Sequence, residues 1–407
     1  MIGNVMVGQS GGPTAVINSS LAGVFKTAVD SGCGTVYGMI NGIEGLLSGK
    51  YTDISKHIKN DLDIELLKRT PSSFLGTCRY KLPHIDAAPE LYGKIFSLLS
   101  SLDVKYFFYI GGNDSMDTVM QLSVYGESIG SDIRFIGVPK TIDNDLPLTD
   151  HTPGYGSAAK YTATAMKEII RDAKTYPHPS VTLVEIMGRD AGWLTAASLL
   201  SRAEDCTGPD LIYLPESVFD INDFLSRVSR GIGENRKLII ALSEGIKTSD
   251  GKYVCEANRK NTVSDAFGHK LLGGTALYLS DIVSEEFGIK SRGIVLSTLQ
   301  RCASHLVSRT DITEAYTAGK DAVISALKGE SGKMVIFKRL PFVHYSIVTD
   351  TIDIGLVANK EKKIPPEWIT NGGTFVSEKF TDYASPLIIG ELSPFMVNGL
   401  PRHLFIE

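Results

Sequence analysis

Short apolar runs recur along the chain, each breaking into glycine, acidic or basic residues and then into a segment with apolar positions at helical spacing. Asn4–Val7 breaks into Gly8-Gln9-Ser10-Gly11-Gly12-Pro13-Thr14, after which Ala15, Val16, Leu21, Ala22, Phe25 and Val29 predict a helix, with Pro13 suited to its first turn. A strand near Thr35–Ile40 leads into the glycine-dotted loop Asn41–Gly49 and a polar stretch to Lys68. Val104–Ile110 stops at Gly111-Gly112-Asn113-Asp114-Ser115 before a helix from Met116 to Tyr125. Ile133–Val138 ends in Pro139-Lys140-Thr141-Ile142-Asp143-Asn144-Asp145, and a helix follows over Ala158–Lys174. Val181–Ile186 ends in Met187-Gly188-Arg189-Asp190, with helix resuming at Ala191. Leu211–Leu214 and Lys237–Leu242 are further strands, the latter ending in Ser243-Glu244-Gly245. Helical patterning spans Val263–Phe287, a strand spans Gly293–Leu296 with Gln300-Arg301-Cys302 close behind, and a helix spans Ile312–Leu327.

This alternation predicts an α/β fold with parallel sheets flanked by helices, which binds ligands beyond the carboxyl ends of its strands. Six strand ends carry glycine, acid or arginine clusters, more than structural turns require. The cluster after Val138 holds the densest chemistry. Asp143 and Asp145 are two residues apart, so in an extended segment they share a face, and one can take a proton while the other positions a cation. Lys140 brings positive charge to the same mouth. A Pro- and Asp-rich turn after a buried strand is the plainer alternative for these residues alone.

The glycines at 8–12 suit an anion nest, or a plain tight turn. No G-x-x-x-x-G-K-[ST] occurs. Gly154-Tyr155-Gly156-Ser157-Ala158-Ala159 matches the dinucleotide fingerprint formally, but Asp150-His151-Thr152-Pro153 precedes it where a strand is required. Ser72–Arg79 is a small-residue loop ending in an arginine, a residue usually just solvated.

With 407 residues the chain is too long for one core and divides into two or three domains. Apolar residues at 43% and charged residues at 21% place it among globular proteins. No apolar run reaches the length of a membrane span, and a cytoplasmic location is expected. The net charge of −5 argues against nucleic acid as partner, so any anionic ligand must be met by local Lys and Arg. Five dispersed cysteines, with no C-x-x-C pair, indicate neither a disulfide frame nor a zinc site.

Gly-Gly-Asn-Asp-Ser at 111–115, Pro-Lys-Thr-Ile-Asp-Asn-Asp at 139–145, Met-Gly-Arg at 187–189, Ser-Glu-Gly at 243–245 and Gln-Arg at 300–301 resemble the phosphofructokinase family in order and spacing, from about residue 4 to 330. The resemblance implies two Rossmann-like domains with the active site in the cleft between them. Residues 1–150, joined by part of 300–360, would bind the phosphoryl donor. Residues 151–300, completed by C-terminal segments, would bind fructose 6-phosphate, and 338–407 would pack without an assigned chemistry. By the same resemblance Asp143 is the general base toward the sugar 1-hydroxyl, and Thr141 and Arg189 contact the phosphoryl group in flight. Ile142, Met187, Gly188 and Glu244 would bind the sugar. Arg301 and Arg292 would hold its 6-phosphate, supplied in the family from a neighbouring subunit of a dimer or tetramer. Gly11, Arg79 and Ser115 would contact the donor, and Mg²⁺ would sit at Asn113 and Asp145.

ATP-using relatives carry glycine at the positions of Asp114 and Lys140, whereas pyrophosphate-using members carry Asp and Lys, as here. A carboxylate about 4 Å from a nucleotide α-phosphate costs on the order of 4 kcal/mol at an effective dielectric near 20. The implied donor is therefore pyrophosphate, ahead of ATP and of a non-catalytic sugar-phosphate sensor, which would be expected to lose its base. Two departures stand out. Asn113 occupies the family's usual Mg²⁺ carboxylate position, and an amide oxygen is a poorer ligand for a hard cation. Ser180 replaces a cross-subunit arginine of bacterial ATP-using relatives, and two extra residues separate Arg301 from Asp311, which makes Arg309 a candidate second clasp.

Overall fold

The computed structural model describes residues 2–234, 236–258 and 272–406. Among these, strands of three or more residues are, in chain order, β1 (Asn4–Gln9), β2 (Val36–Met39), β3 (Tyr51–Asp53), β4 (Val104–Gly111), β5 (Arg134–Pro139), β6 (Ser180–Ile186), β7 (Leu211–Tyr213), β8 (Lys237–Ser243), β9 (Lys290–Val295), β10 (Lys333–Arg339) and β11 (Ile347–Asp353). They form two sheets. The larger runs β11-β10-β5-β4-β1-β2-β3, parallel in its centre with antiparallel strands at both edges. The smaller runs β7-β8-β6-β9 and is wholly parallel. The expected α/β class with mainly parallel sheets is what the chain adopts.

Both sheets are covered on both faces, which explains why their strands read as unbroken apolar runs. On the larger sheet Val5, Val7, Phe108, Ile110 and Val138 pack to one side, and Met6, Phe107, Tyr109 and Phe135 to the other. The smaller sheet divides likewise, with Val184 and Ile186 on one face and Val181 and Leu183 on the other. Each such fully buried aliphatic or phenyl side chain contributes about 1.5–3 kcal/mol relative to exposure.

In each sheet the chain reverses its direction of travel at the first strand laid down, β1 in one and β6 in the other. Loops leaving such neighbouring strands diverge to opposite faces and open a crevice at the strands' carboxyl ends. Both crevices matter below.

Several boundaries differ from the sequence expectation. The first helix spans Ile17–Asp30, so Pro13 lies in the loop before it rather than in its first turn. The helix after β4 spans Asn113–Ser128, which puts Asn113, Asp114 and Ser115 in a helical turn instead of a loop. Of the helix expected over Val263–Phe287, the part up to residue 271 lies outside the described residues, and the rest is Thr275–Phe287. The segment after Lys338 is not uniform. It supplies β11 to the larger sheet, whereas Phe380, Ala384 and Leu387 pack into the core of the smaller one.

Candidate active site

The carboxyl ends of the two sheets face a single cleft of about 590 Å³. From β1 come Gly11 and Gly12, from the β4 loop and helix Asn113, Asp114 and Ser115, and from β5 Lys140, Thr141, Asp143 and Asp145. The opposite wall carries Met187 and Arg189 after β6 and Glu244 after β8. Arg79 closes one side.

Local chemistry explains each placement. At the end of β4, Gly111 lies so close to Ser115 that a Cβ there would fall 1.9 Å from its hydroxyl. That contact lets the helix start directly behind the strand. After β6, Gly188 has φ 135° and a Cβ would meet the Ala191 carbonyl at 2.6 Å, so only glycine suits this turn. Its N–H donates toward Glu244 Oε1 (3.4 Å), and its carbonyl accepts the Ser243 hydroxyl. Buried Gln300, just after β9, accepts the Met187 N–H (3.1 Å), which fixes this wall of the cleft.

The turn after β5 is tied down at every residue. Thr141 Oγ1 accepts the Asp143 N–H (3.0 Å), and the Thr141 N–H donates to the Pro153 carbonyl (3.2 Å). Asn144 adopts φ 54°, a left-handed conformation that asparagine tolerates. Its amide donates to the Tyr383 hydroxyl (2.8 Å) and its oxygen accepts the Thr152 N–H (3.1 Å). Asp143 and Asp145 consequently both face the cleft.

Charge is concentrated here. Burial raises Asp143 to about 6, and the nearby Glu244 carboxylate adds to the shift, against the pull of Lys140, Arg189 and Arg301. Burial also raises Asp145 to about 6, reinforced by Asp143. Lys140 is buried and lowered to about 8 by desolvation, while Asp143 and Asp145 hold its proton. Its ammonium donates to the Gly12 carbonyl (2.7 Å), leaving two of three donors for an anion. Glu244 is raised by burial. These values predict a bell-shaped pH profile for turnover. Activity should fall as the pH drops through about 6 and the carboxylates protonate, and fall again above about 8 as Lys140 loses its charge. A kcat profile flat from about pH 5 to about pH 9 would rule out this assignment.

Among the described residues, no cluster of three or more His, Cys, Asp or Glu side chains could hold a metal by itself. Asn113 Oδ1 and Asp145 Oδ1 are nevertheless buried at the cleft without a hydrogen-bond partner among the described residues, and the Asn113 amide points its nitrogen at Asp145 Oδ2 (3.4 Å). Two such oxygens suit a hard cation that takes its other ligands from water and phosphate.

Other expected residues are placed differently. Ile142 turns its side chain into the core beside Tyr155 and Trp193, so it offers the cleft backbone only. Arg301 reaches the cleft of its own chain: a Cβ on Gly12 would lie 3.2 Å from its guanidinium, and its charge acts on Lys140, Asp143 and Glu244. This corrects the expectation that Arg301 comes from a neighbouring subunit. Arg292 does not join the cleft; it pairs with Asp172 (3.3 Å) and lines a separate cavity with Tyr176 and Ser180. Arg309 lies beside Gly390, away from the cleft. The nest reading of Gly11 also changes, because its N–H is taken by the Cys78 carbonyl (3.1 Å). The formal dinucleotide fingerprint is likewise occupied, since Asp311 accepts the Gly154 and Ser157 N–H groups at that helix start. Asp190, from the cluster after β6, also lines the cleft, as do Lys81, Asn359 and Glu361, none of which the sequence singles out because they lie outside the strand-end clusters.

Two carboxylates, flanking cations and two facing switch-point crevices are the makings of a two-sheet enzyme that handles phosphoryl groups. The phosphofructokinase family model matches residues 4–323. The chain is 38% identical over 403 residues to a Halomonas elongata protein named pyrophosphate–fructose 6-phosphate 1-phosphotransferase, covering 98% of this chain and 95% of that one. A protein of the same name from Xanthomonas campestris pv. campestris is 38% identical over 408 residues, covering 100% and 96%. The crystal structure of a pyrophosphate-dependent phosphofructokinase from Nitrosospira multiformis superposes with a TM-score of 0.88 at 35% identity, covering 98% and 95%. This chain belongs to the phosphofructokinase family.

Proposed function

We propose that the protein transfers a phosphoryl group from pyrophosphate to the 1-hydroxyl of fructose 6-phosphate, reversibly, giving fructose 1,6-bisphosphate and phosphate. The observation that carries the donor assignment is that Asp114 and the buried Lys140 both line the cleft that also holds Asp143. The names of the relatives agree.

Asp143, ionised at neutral pH yet basic enough to accept a proton, takes the proton of the 1-hydroxyl. The sugar oxygen forms its bond to phosphorus as the bridging P–O bond of pyrophosphate breaks, and the bridging electron pair leaves with phosphate. Lys140 meets that growing charge, Arg189 and Thr141 steady the phosphoryl oxygens, and Met187 and Glu244 orient the sugar. Arg301 and Arg79 supply further positive charge. Mg²⁺ held by Asn113 and Asp145 would neutralise pyrophosphate oxygens when bound. The first body, 1–150 with 333–353, takes the donor, and the second takes the sugar phosphate. Arg292, unable to serve its own cleft, suits a homo-oligomer in which it completes a neighbour's 6-phosphate site. A cytoplasmic setting fits the five free thiols.

An assay with pyrophosphate or ATP as sole donor tests the proposal. Pyrophosphate is expected to support turnover with fructose 6-phosphate and ATP to give near none. A higher kcat/KM with ATP overturns it.

A further inference from the structure

The segment after β11 crosses between the two sheets and places a half-buried lysine, Lys362, behind the turn that carries Asp143, with its ammonium enclosed. All three donors of the Lys362 ammonium are engaged, to the Asp150 carbonyl (2.9 Å), the Thr149 carbonyl (3.2 Å) and Asn144 Oδ1 (3.3 Å). Its backbone continues the clasp. The Lys362 N–H donates to the Asp145 carbonyl (2.6 Å), and its own carbonyl accepts the Trp193 indole N–H (2.9 Å). The ammonium also lies 5.1 Å from the centre of the Trp193 ring, close enough for a cation–π contact. Trp193 belongs to the sugar-side core and Asn144 to the turn that carries Asp143 and Asp145.

Tyr383 repeats the pattern from the C-terminal helix. Its hydroxyl accepts the Asn144 amide (2.8 Å) and donates to the Asp150 carbonyl (2.7 Å), the same carbonyl that Lys362 grips. Asp150 and Asp145 are the acidic groups nearest the Lys362 ammonium, and Arg339, bound to Asp150 at 2.9 Å, is the nearest cation. Burying this ammonium is costly unless every donor is met, and here Asn144 of the turn meets one and the Thr149 and Asp150 carbonyls behind it meet the other two.

We propose that Lys362 is a positioning residue for phosphoryl transfer, clasping the Asp143-Asn144-Asp145 turn to the sugar-side domain so that the base stays in line with the acceptor. It touches neither substrate. The inference rests on the phosphoryl-transfer reading above, since only that reading makes the turn catalytic.

Replacing Lys362 with methionine keeps the stem and removes the three donors. Lys362→Met is expected to lower kcat with pyrophosphate about 100-fold, the size of loss that a 1 Å misplacement of a reacting group causes, with KM for fructose 6-phosphate within about threefold of wild type. A purely structural lysine would lower the unfolding temperature without this split. Tyr383→Phe removes one hydroxyl from the same clasp, leaves the buried ring, and is expected to lower kcat about tenfold with KM again preserved. It decides the matter if Lys362→Met does not fold. A folded Lys362→Met with wild-type kcat overturns the inference, as does Tyr383→Phe with wild-type kcat if the lysine variant is insoluble. Absence of pyrophosphate-dependent turnover in wild type would instead overturn the functional reading itself.

Discussion

Asp143→Asn is expected to reduce kcat by about 10²–10⁴-fold while KM for fructose 6-phosphate changes little. The amide keeps the shape of the side chain and its N–H bond to Thr141 Oγ1, so the turn is retained. What disappears is the basic oxygen. Burial and the Glu244 charge hold the wild-type carboxyl near 6, which matches it to proton acceptance near neutrality. Steady-state kinetics with both substrates saturating would settle the matter. A variant keeping more than about a tenth of wild-type kcat would mean that another group takes the proton, because positioned bases contribute at least that much.

Lys140→Met should depress pyrophosphate-dependent kcat by about 10²–10³-fold, the range seen when a preorganised donor facing developing charge is removed. The ammonium is anchored on the Gly12 carbonyl at the cleft wall, so its charge is already in place before a phosphate arrives. Affinity for pyrophosphate should fall less than kcat, since charge on the departing phosphate grows during transfer. Unchanged pyrophosphate turnover in the variant would refute this role. In the opposite direction, Asp114→Gly removes a carboxylate from the donor wall and should raise ATP turnover slightly from near zero.

The strand ends were legible because strands buried on both faces leave apolar runs, and because the cleft is built from whatever follows each run. Each of the stretches Gly111–Ser115, Lys140–Asp145 and Met187–Arg189, and Glu244, follows that rule and contributes side chains to the cleft. The helix Pro89–Ser101 buries Tyr92, Ile95, Phe96 and Leu99 at helical spacing, a pattern visible in the sequence as well. Lys362 was not readable. It sits in Asn359-Lys360-Glu361-Lys362-Lys363, which by composition is a solvated charge run, and only the folded chain shows it walled in behind Asn144. Arg301 shows a different limit, since a motif names a residue without saying which copy of the chain's cleft it enters.

The sheet order has a consequence for how the protein is made. β5 forms early in the chain, but its neighbour β10 joins it through the pairing of Lys333 with Ile136, so roughly 200 residues must emerge in between. At about 5–20 residues per second on the ribosome, that is a wait of about 10–40 seconds with an unpaired parallel edge exposed. The strands of the smaller sheet are all made by Val295, but its core waits still longer, for Phe380, Ala384 and Leu387. A nascent chain stalled before β10 would therefore present the unpaired edge of β5, an aggregation hazard until Lys333–Arg339 arrives to cover it.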